Sequence, residues 1–218
     1  MHKKIFSLVF SLTMPLMIAC SPILKDKENF NLQSASFSCS LSTRSFEKTE
    51  NYYVFYLLGE INICTSYWFH IAASEFLKSD LKRFVVYISS PGGEYYSTLS
   101  LVNDIYLMKK RGREVIGIVN GIAHSGAALV FLSIDSDKRF VYPKSTFMLH
   151  MIEKSPDVKM DEILEKRLER LREDYLKTLS QLSGLPKNKI LDLMNKELFT
   201  EEVLSLGLAR SVDELIFP

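Results

Sequence analysis

Three unbroken apolar runs, separated by segments of helical period, constrain this chain more than any other feature. Tyr53-Val54-Phe55-Tyr56-Leu57-Leu58, Phe84-Val85-Val86-Tyr87-Ile88 and Val115-Ile116-Gly117-Ile118-Val119 have strand length and are rich in β-branched and aromatic residues. Between the first two, Trp68, Phe69, Ala72, Ala73, Phe76 and Leu77 recur at helical spacing over 66–79. Between the second and third, Leu99, Val102, Ile105, Tyr106 and Met108 do the same over 97–110. A strand without polar alternation is buried on both faces. The alternation therefore predicts an α/β fold whose mostly parallel sheet is covered by helices and joined by right-handed crossovers. Gly59 is read as the end of the first strand, and Phe147-Met148-Leu149 as a short later one.

Length and charge narrow the function classes. A chain of 218 residues can bury one sizeable core. Basic and acidic residues nearly balance, 27 against 26, so nothing proposes a nucleic acid as partner. There is no phosphate-cradling G-x-x-x-x-G-K, no C-x-x-C and no H-E-x-x-H, and His2, His70, His124 and His150 are scattered. Neither a metal nor another cofactor is expected.

The N-terminus reads as an export signal. His2-Lys3-Lys4 is a basic n-region, and Ile5 to Ala19 is an apolar stretch too short to span a bilayer. Leu16-Met17-Ile18-Ala19-Cys20 resembles a bacterial lipobox, with Met17 where an aliphatic residue is usual. Residues 1–20 are thus expected to be a signal peptide of lipoprotein type, 21–50 a polar tether, and 51–218 the folded domain. In an oxidising compartment Cys39 and Cys64 could pair or stay as separate thiols.

The C-terminal third is helical in pattern. From Val158 to Leu182, the residues Leu164, Leu168, Leu171, Tyr175, Leu179 and Leu182 form a narrow seam between charged flanks. Such a seam can dock on another subunit or lie on its own sheet. Pro186 opens a shorter helix ending near Lys196, and Thr200 is expected to cap a last one closed by Gly207.

Chemistry gathers in three places. Ser90-Pro91-Gly92-Gly93 closes the second strand, Ala123-His124-Ser125-Gly126-Ala127 follows the third, and Met148-Leu149-His150 comes after. A serine among small residues at a helix start exposes a hydroxyl nucleophile, a histidine supplies its base, and glycines offer backbone N–H groups free of Cβ obstruction. Together they point to acyl transfer. His124 is expected to line the site or pack beside it, and His70 to be a satisfied, partly buried histidine. Tyr95 and Tyr96 either line a peptide groove or pack at a helix start.

From about Val54 to Val212 these residues resemble the proteolytic subunit of the Clp protease family. The resemblance is carried by Ser90-Pro91-Gly92-Gly93, by Ala123-His124-Ser125-Gly126-Ala127, and by Pro143-Lys144-Ser145-Thr146-Phe147-Met148-Leu149-His150. It implies a crotonase/ClpP-like ββα spiral with a long handle-like helix at 158–182. It implies a serine peptidase with Ser125 as nucleophile, His150 as general base, and the amides of Gly93 and Gly126 as oxyanion hole. The third triad member is Glu197 when counted forward from Gly184-Leu185-Pro186, and Asn195 when counted back from Glu202 and Gly207.

Peptides or unfolded proteins are the implied substrates, and a homo-oligomer packed through the long helix the implied assembly. Two readings stay open beside it. One is a catalytically inactive scaffold. The other is a Ser–Lys protease of the signal-peptide-peptidase kind on the same superfold, with Lys144 or Lys196 as base, while a coenzyme A thioester crotonase would need no serine. Export would place the protein on the periplasmic side of a bacterial membrane, anchored by lipid on Cys20, with no ATP supply and hence no ATPase partner. Mass spectrometry of the mature N-terminus should find a diacylated Cys20; a cut elsewhere, or a bare cysteine, would refute the anchor.

Overall fold

The three apolar runs lie side by side at the centre of an eight-stranded sheet. The computed structural model describes Cys39, residues 45–154 and residues 158–215. All of these except Cys39 fall in the compact unit Ser40–Pro218. The expected signal segment 1–20 with its Cys20, and most of the expected tether, lie outside the described residues.

In chain order the elements are β1 (Phe46–Lys48), β2 (Tyr52–Ile61), α1 (Ile63–Lys78), β3 (Arg83–Gly93), α2 (Tyr95–Lys110), β4 (Glu114–His124) and α3 (Gly126–Leu132). There follow β5 (Arg139–Val141), β6 (Thr146–Met148), α4 (Glu162–Ser183), α5 (Lys187–Leu193), β7 (Glu197–Phe199), α6 (Thr200–Ser205) and β8 (Arg210–Ser211). The main path runs β1-β2-β3-β4-β5-β8 and is parallel from β2 onward, as buried strands without alternation require. β1 pairs antiparallel with β2, so the sheet begins at Phe46, inside the stretch expected to be tether.

One face is filled by aromatic rings that α1 lays on β2 and β3. Phe69 meets Phe55 at 4.8 Å between ring centroids and Phe84 at 5.6 Å, and Phe76 meets Phe84 at 5.2 Å. The helix starts at Asn62, whose side chain accepts from the N–H groups of Cys64 and Thr65. The opposite face carries a smaller cluster of Val54, Val85, Ile116, Ile118 and Phe140, flanked by Tyr52, Tyr56 and Tyr87.

All three central strands change register at one level. The shifts fall between Leu58 and Glu60 in β2 and between Ile88 and Ser90 in β3. Gly59 does not end β2; with φ at 75° it forms a bulge, and the strand continues to Ile61. β4 forks at the same height. Its residues 117–119 pair with β5, whereas 122–124 pair with β6, which pairs in turn with β7. The fork carries the last turn of β4 away from β5 and delivers Ser125 at its tip.

Helix α4 begins at Glu162, capped by Asp161, four residues later than its apolar seam suggests. Gly184 closes it in a left-handed conformation. The seam divides into two. Tyr175 and Leu179 are buried in the domain, while Leu164, Leu168 and Leu171 stay half-exposed and Ile163 is 78% exposed. α5 stops at Leu193, short of Lys196. Thr200 is the first residue of α6 rather than its cap, and its hydroxyl donates to the carbonyls of Tyr142 and Ser145.

A buried cation fastens these parts. Arg139, 3% exposed, donates from its guanidinium to the carbonyls of Leu132, Ile134, Leu182 and Leu208. Leu132 and Leu182 belong to the last turns of α3 and α4, where orphan carbonyls and the helix dipole favour positive charge. Burial pulls the guanidinium down to about 10, with Asp135 and Asp137 opposing the shift. Arg139→Met should cost about 3 kcal/mol or more in urea unfolding, because four carbonyls lose a charged donor. Arg210→Met, which removes a half-exposed i,i+4 pair with Glu214, should cost less than about 1 kcal/mol.

Candidate active site

Ser125 is held in a conformation that few side chains adopt. It has φ 53° and ψ −121°, stands between the end of β4 and the start of α3, and its N–H donates to the Met148 carbonyl at 2.8 Å. Such a backbone costs about 1–3 kcal/mol and persists only where its surroundings enforce it. Here the enforcement is close packing against β3. A Cβ on Gly92 would lie 2.7 Å from the Gly126 nitrogen, the His124 carbonyl oxygen and the Ser125 Cβ. Gly92 also has φ 91°, which a glycine adopts without strain. Its N–H donates to the buried Ser90 hydroxyl at 3.1 Å.

Ser125, His150, Gly93 and Gly126 line one cavity of about 610 Å³. Four of the residues expected from sequence are thus brought together. His150 sits just beyond β6, and its Nδ1 lies 2.8 Å from the Met151 carbonyl. A carbonyl only accepts, so Nδ1 carries the proton and Nε2 is left as the basic nitrogen. Ser125 and His150 are not hydrogen-bonded to each other here, as is common before substrate aligns such a pair.

The two candidates for the third position are placed differently. Glu197 faces His124: its carboxylate is 3.6 Å from His124 Nε2, which also lies 2.8 Å from the Thr146 hydroxyl. The cause is register. β6 sets Met148 opposite Glu197 on one side and His124 on the other, two residues before His150. Asn195 is instead the residue that the backbone brings to His150. Its N–H donates to the Leu149 carbonyl at 2.7 Å, Met194 bridges to Leu149, and its φ is 60°. The Asn195 side chain is exposed.

His124 is packing rather than lining: its side chain is 15% exposed and it is absent from the cavity wall. Burial lowers its pKa, against the pull of Glu197 and with a smaller push from His150. His70 is satisfied by Asp104 at 3.1 Å yet 60% exposed, and burial raises the Asp104 carboxyl despite that partner. Tyr95 lines the cavity and Tyr96 does not. Neither Lys144 nor Lys196 reaches the wall; the lysine there is Lys154. Among the described residues no group of three or more His, Cys, Asp or Glu side chains is placed to hold a metal ion.

The fold adds wall residues that no local pattern announced: Glu60, Thr98, Leu129, Glu153 and Tyr175. Tyr175 belonged to the helix seam, and its ring meets Tyr95 at 6.3 Å. Burial raises its phenol well above the usual range.

Residues 70–215 match the family described as Clp protease. The chain belongs to the Clp protease family. The matched stretch holds Gly92, Gly93, Ser125, His150, Asn195 and Glu197. Curated relatives named ATP-dependent Clp protease proteolytic subunit share 29% identity with it in Pleurastrum terricola, over 56% of this chain and 62% of the relative. In Deinococcus radiodurans the identity is 29%, over 60% of this chain and 63% of the relative. The proteolytic subunit 1 of Bacillus cereus is 30% identical over 61% of this chain and 69% of its own. The match therefore spans less than two thirds of the length of the first two. A ClpP1 mutant from Listeria monocytogenes superimposes with a TM-score of 0.65 at 19% identity, covering 72% of this chain and 89% of its own. The fold is that of the Clp protease subunits, a mostly parallel sheet with the long helix beside it.

The fit at Gly92 can be tested directly. Gly92→Ala should destabilise the domain by more than about 2 kcal/mol and abolish fluorophosphonate labelling of Ser125. Gly59→Ala, with φ 75° but nothing within 4 Å of the added methyl, should cost about 1 kcal/mol and keep the labelling.

Proposed function

We propose that this protein is a serine endopeptidase acting on peptides or unfolded chains. The observation that carries the reading is the strained Ser125 backbone opening into a cavity shared with His150, Gly93 and Gly126. In this reading Ser125 attacks the peptide carbonyl and His150 Nε2 takes its proton, then returns it to the leaving amine. The oxygen that gains charge meets the amides of Gly93 and Gly126, and water hydrolyses the acyl-enzyme. Asn195 is the better-placed orienting residue, since its backbone is tied to the strand end that bears His150. An amide can hold an imidazole by hydrogen bond, as a carboxylate does. Glu197 acts through His124, bracing β4 against β7.

Losing Ser125 or His150 should each cost on the order of 10⁴-fold in rate, and losing both little more, because they act as a unit. Asn195→Ala should lower the rate more than Glu197→Gln. Near-normal turnover by Ser125→Ala, or failure of a fluorophosphonate to label folded protein at Ser125, would make the chain a scaffold instead.

Export and a lipid anchor at Cys20 are part of the same proposal. They are supported by the basic, apolar N-terminus and by Cys39 and Cys64, both disulfide-bonded. No helix among the described residues is long and apolar enough to cross a membrane. We further propose a homo-oligomer joined through the first half of α4, where Ile163, Leu164, Leu168 and Leu171 leave an uncovered apolar stripe. Leu164→Glu with Leu168→Glu should shift the protein to monomer in light scattering while leaving its thermal midpoint nearly unchanged. A wild-type monomer with full activity would overturn this.

A further inference from the structure

We infer that the cavity beside Ser125 selects lysine or arginine as the residue whose carbonyl is attacked; this rests on the peptidase reading above. The placement follows from the oxyanion glycine. A Cβ on Gly126 would meet the Thr98 hydroxyl at 2.4 Å, and Leu129 lies one turn further along α3. Thr98 and Leu129, each 1% exposed, therefore pave the cavity immediately beyond Gly126. A peptide whose carbonyl oxygen sits on Gly93 and Gly126 puts the side chain of that same residue onto this floor.

Tyr175 forms another part of the wall. It is 5% exposed, lines the cavity, and has no hydrogen-bond partner among the described residues. Yet no fully enclosed side-chain nitrogen or oxygen among them lacks a partner. Its hydroxyl is therefore not fully enclosed, and the cavity is a space that Tyr175 lines. An aliphatic side chain seated there would seal that hydroxyl off unpaired, whereas a terminal ammonium or guanidinium donates to it. The methylene stem of lysine or arginine suits Leu129 and the tyrosine rings, and the rings also attract the cationic end.

Charge points the same way. Glu60, Glu94 and Glu153 line the cavity against one ammonium, Lys154. That ammonium is engaged 3.4 Å from the Val158 carbonyl, and the nearby Arg172 donates to the Ile152 carbonyl. Glu94 directly follows Gly93, and one of its oxygens accepts from Ser97 at 2.8 Å. An acidic substrate side chain would meet this excess of carboxylates, and a basic one is drawn by it.

The test uses the purified full chain and fluorogenic peptides that differ only at that residue, as Lys, Arg, Leu or Glu. kcat/KM should be about tenfold higher for Lys and Arg than for Leu, and about a hundredfold higher than for Glu. Raising salt from 50 to 500 mM should narrow the ratio, since the carboxylates are exposed. Tyr175→Phe and Glu94→Gln should each shrink the Lys-to-Leu ratio severalfold. A Leu peptide cleaved as well as the Lys peptide at both salt levels overturns the inference and leaves the peptidase reading standing. So does fluorophosphonate labelling of Ser125 without cleavage of any of the four. Absence of both labelling and cleavage defeats the peptidase reading, and this inference with it.

Discussion

Between β3 and the tip of β4 there is no space for a methyl group, and the Ser125 end of the sheet is built around that contact. Gly92 lies against the Gly126 nitrogen, the His124 carbonyl and the Ser125 Cβ at once. The approach is close enough to hold Ser125 at φ 53° and to set Gly93 and Gly126 on the same cavity. Two upstream features make it possible. The register of β2, β3 and β4 changes at one height, and β4 abandons β5 for β6 just above it. A sheet that continued in plane would carry the serine past the glycines instead of onto them.

A second constraint works at the other end. Arg139 collects carbonyls from the last turns of α3 and α4, from the loop after α3 and from Leu208 before β8. The carbonyls come from three stretches distant in sequence, 132–134, Leu182 and Leu208, at helix ends or just before a strand. One guanidinium satisfies them together because its donors are fixed in a planar fork. Helix α3, which follows Ser125, and helix α4, which carries Tyr175, thus share an anchor, which ties two walls of the cavity together.

Much of this was legible in the sequence. The apolar runs and helical periods located β2, α1, β3, α2 and β4, because burial on both faces leaves an unbroken pattern. That Ser125, His150, Gly93 and Gly126 come together on one cavity was legible from the order of the three motifs that carry them. What counting along the chain does not reveal is whatever depends on pairing. Gly59 looked like a stop and is a bulge, since a lone glycine reads the same in either role. Counting from the preceding helix reaches Glu197, but the β6–β7 register that sets it beside His124 is not visible to counting. β1 was too short and too charged to stand out from the expected tether. The seam of α4 gave one stripe, and only the packing shows it divided between core and surface.

The Ser125 backbone has a consequence for how such a chain drifts over generations. Glycine would occupy that turn without penalty, and a single codon change would make the fold more stable while deleting the hydroxyl. Mutation alone therefore pushes this position downhill, away from serine. A lineage relieved of any need for the hydroxyl would slide toward the relaxed residue and gain robustness by doing so. Serine at φ 53° is the less stable choice, and a use for that oxygen is what would oppose the slope.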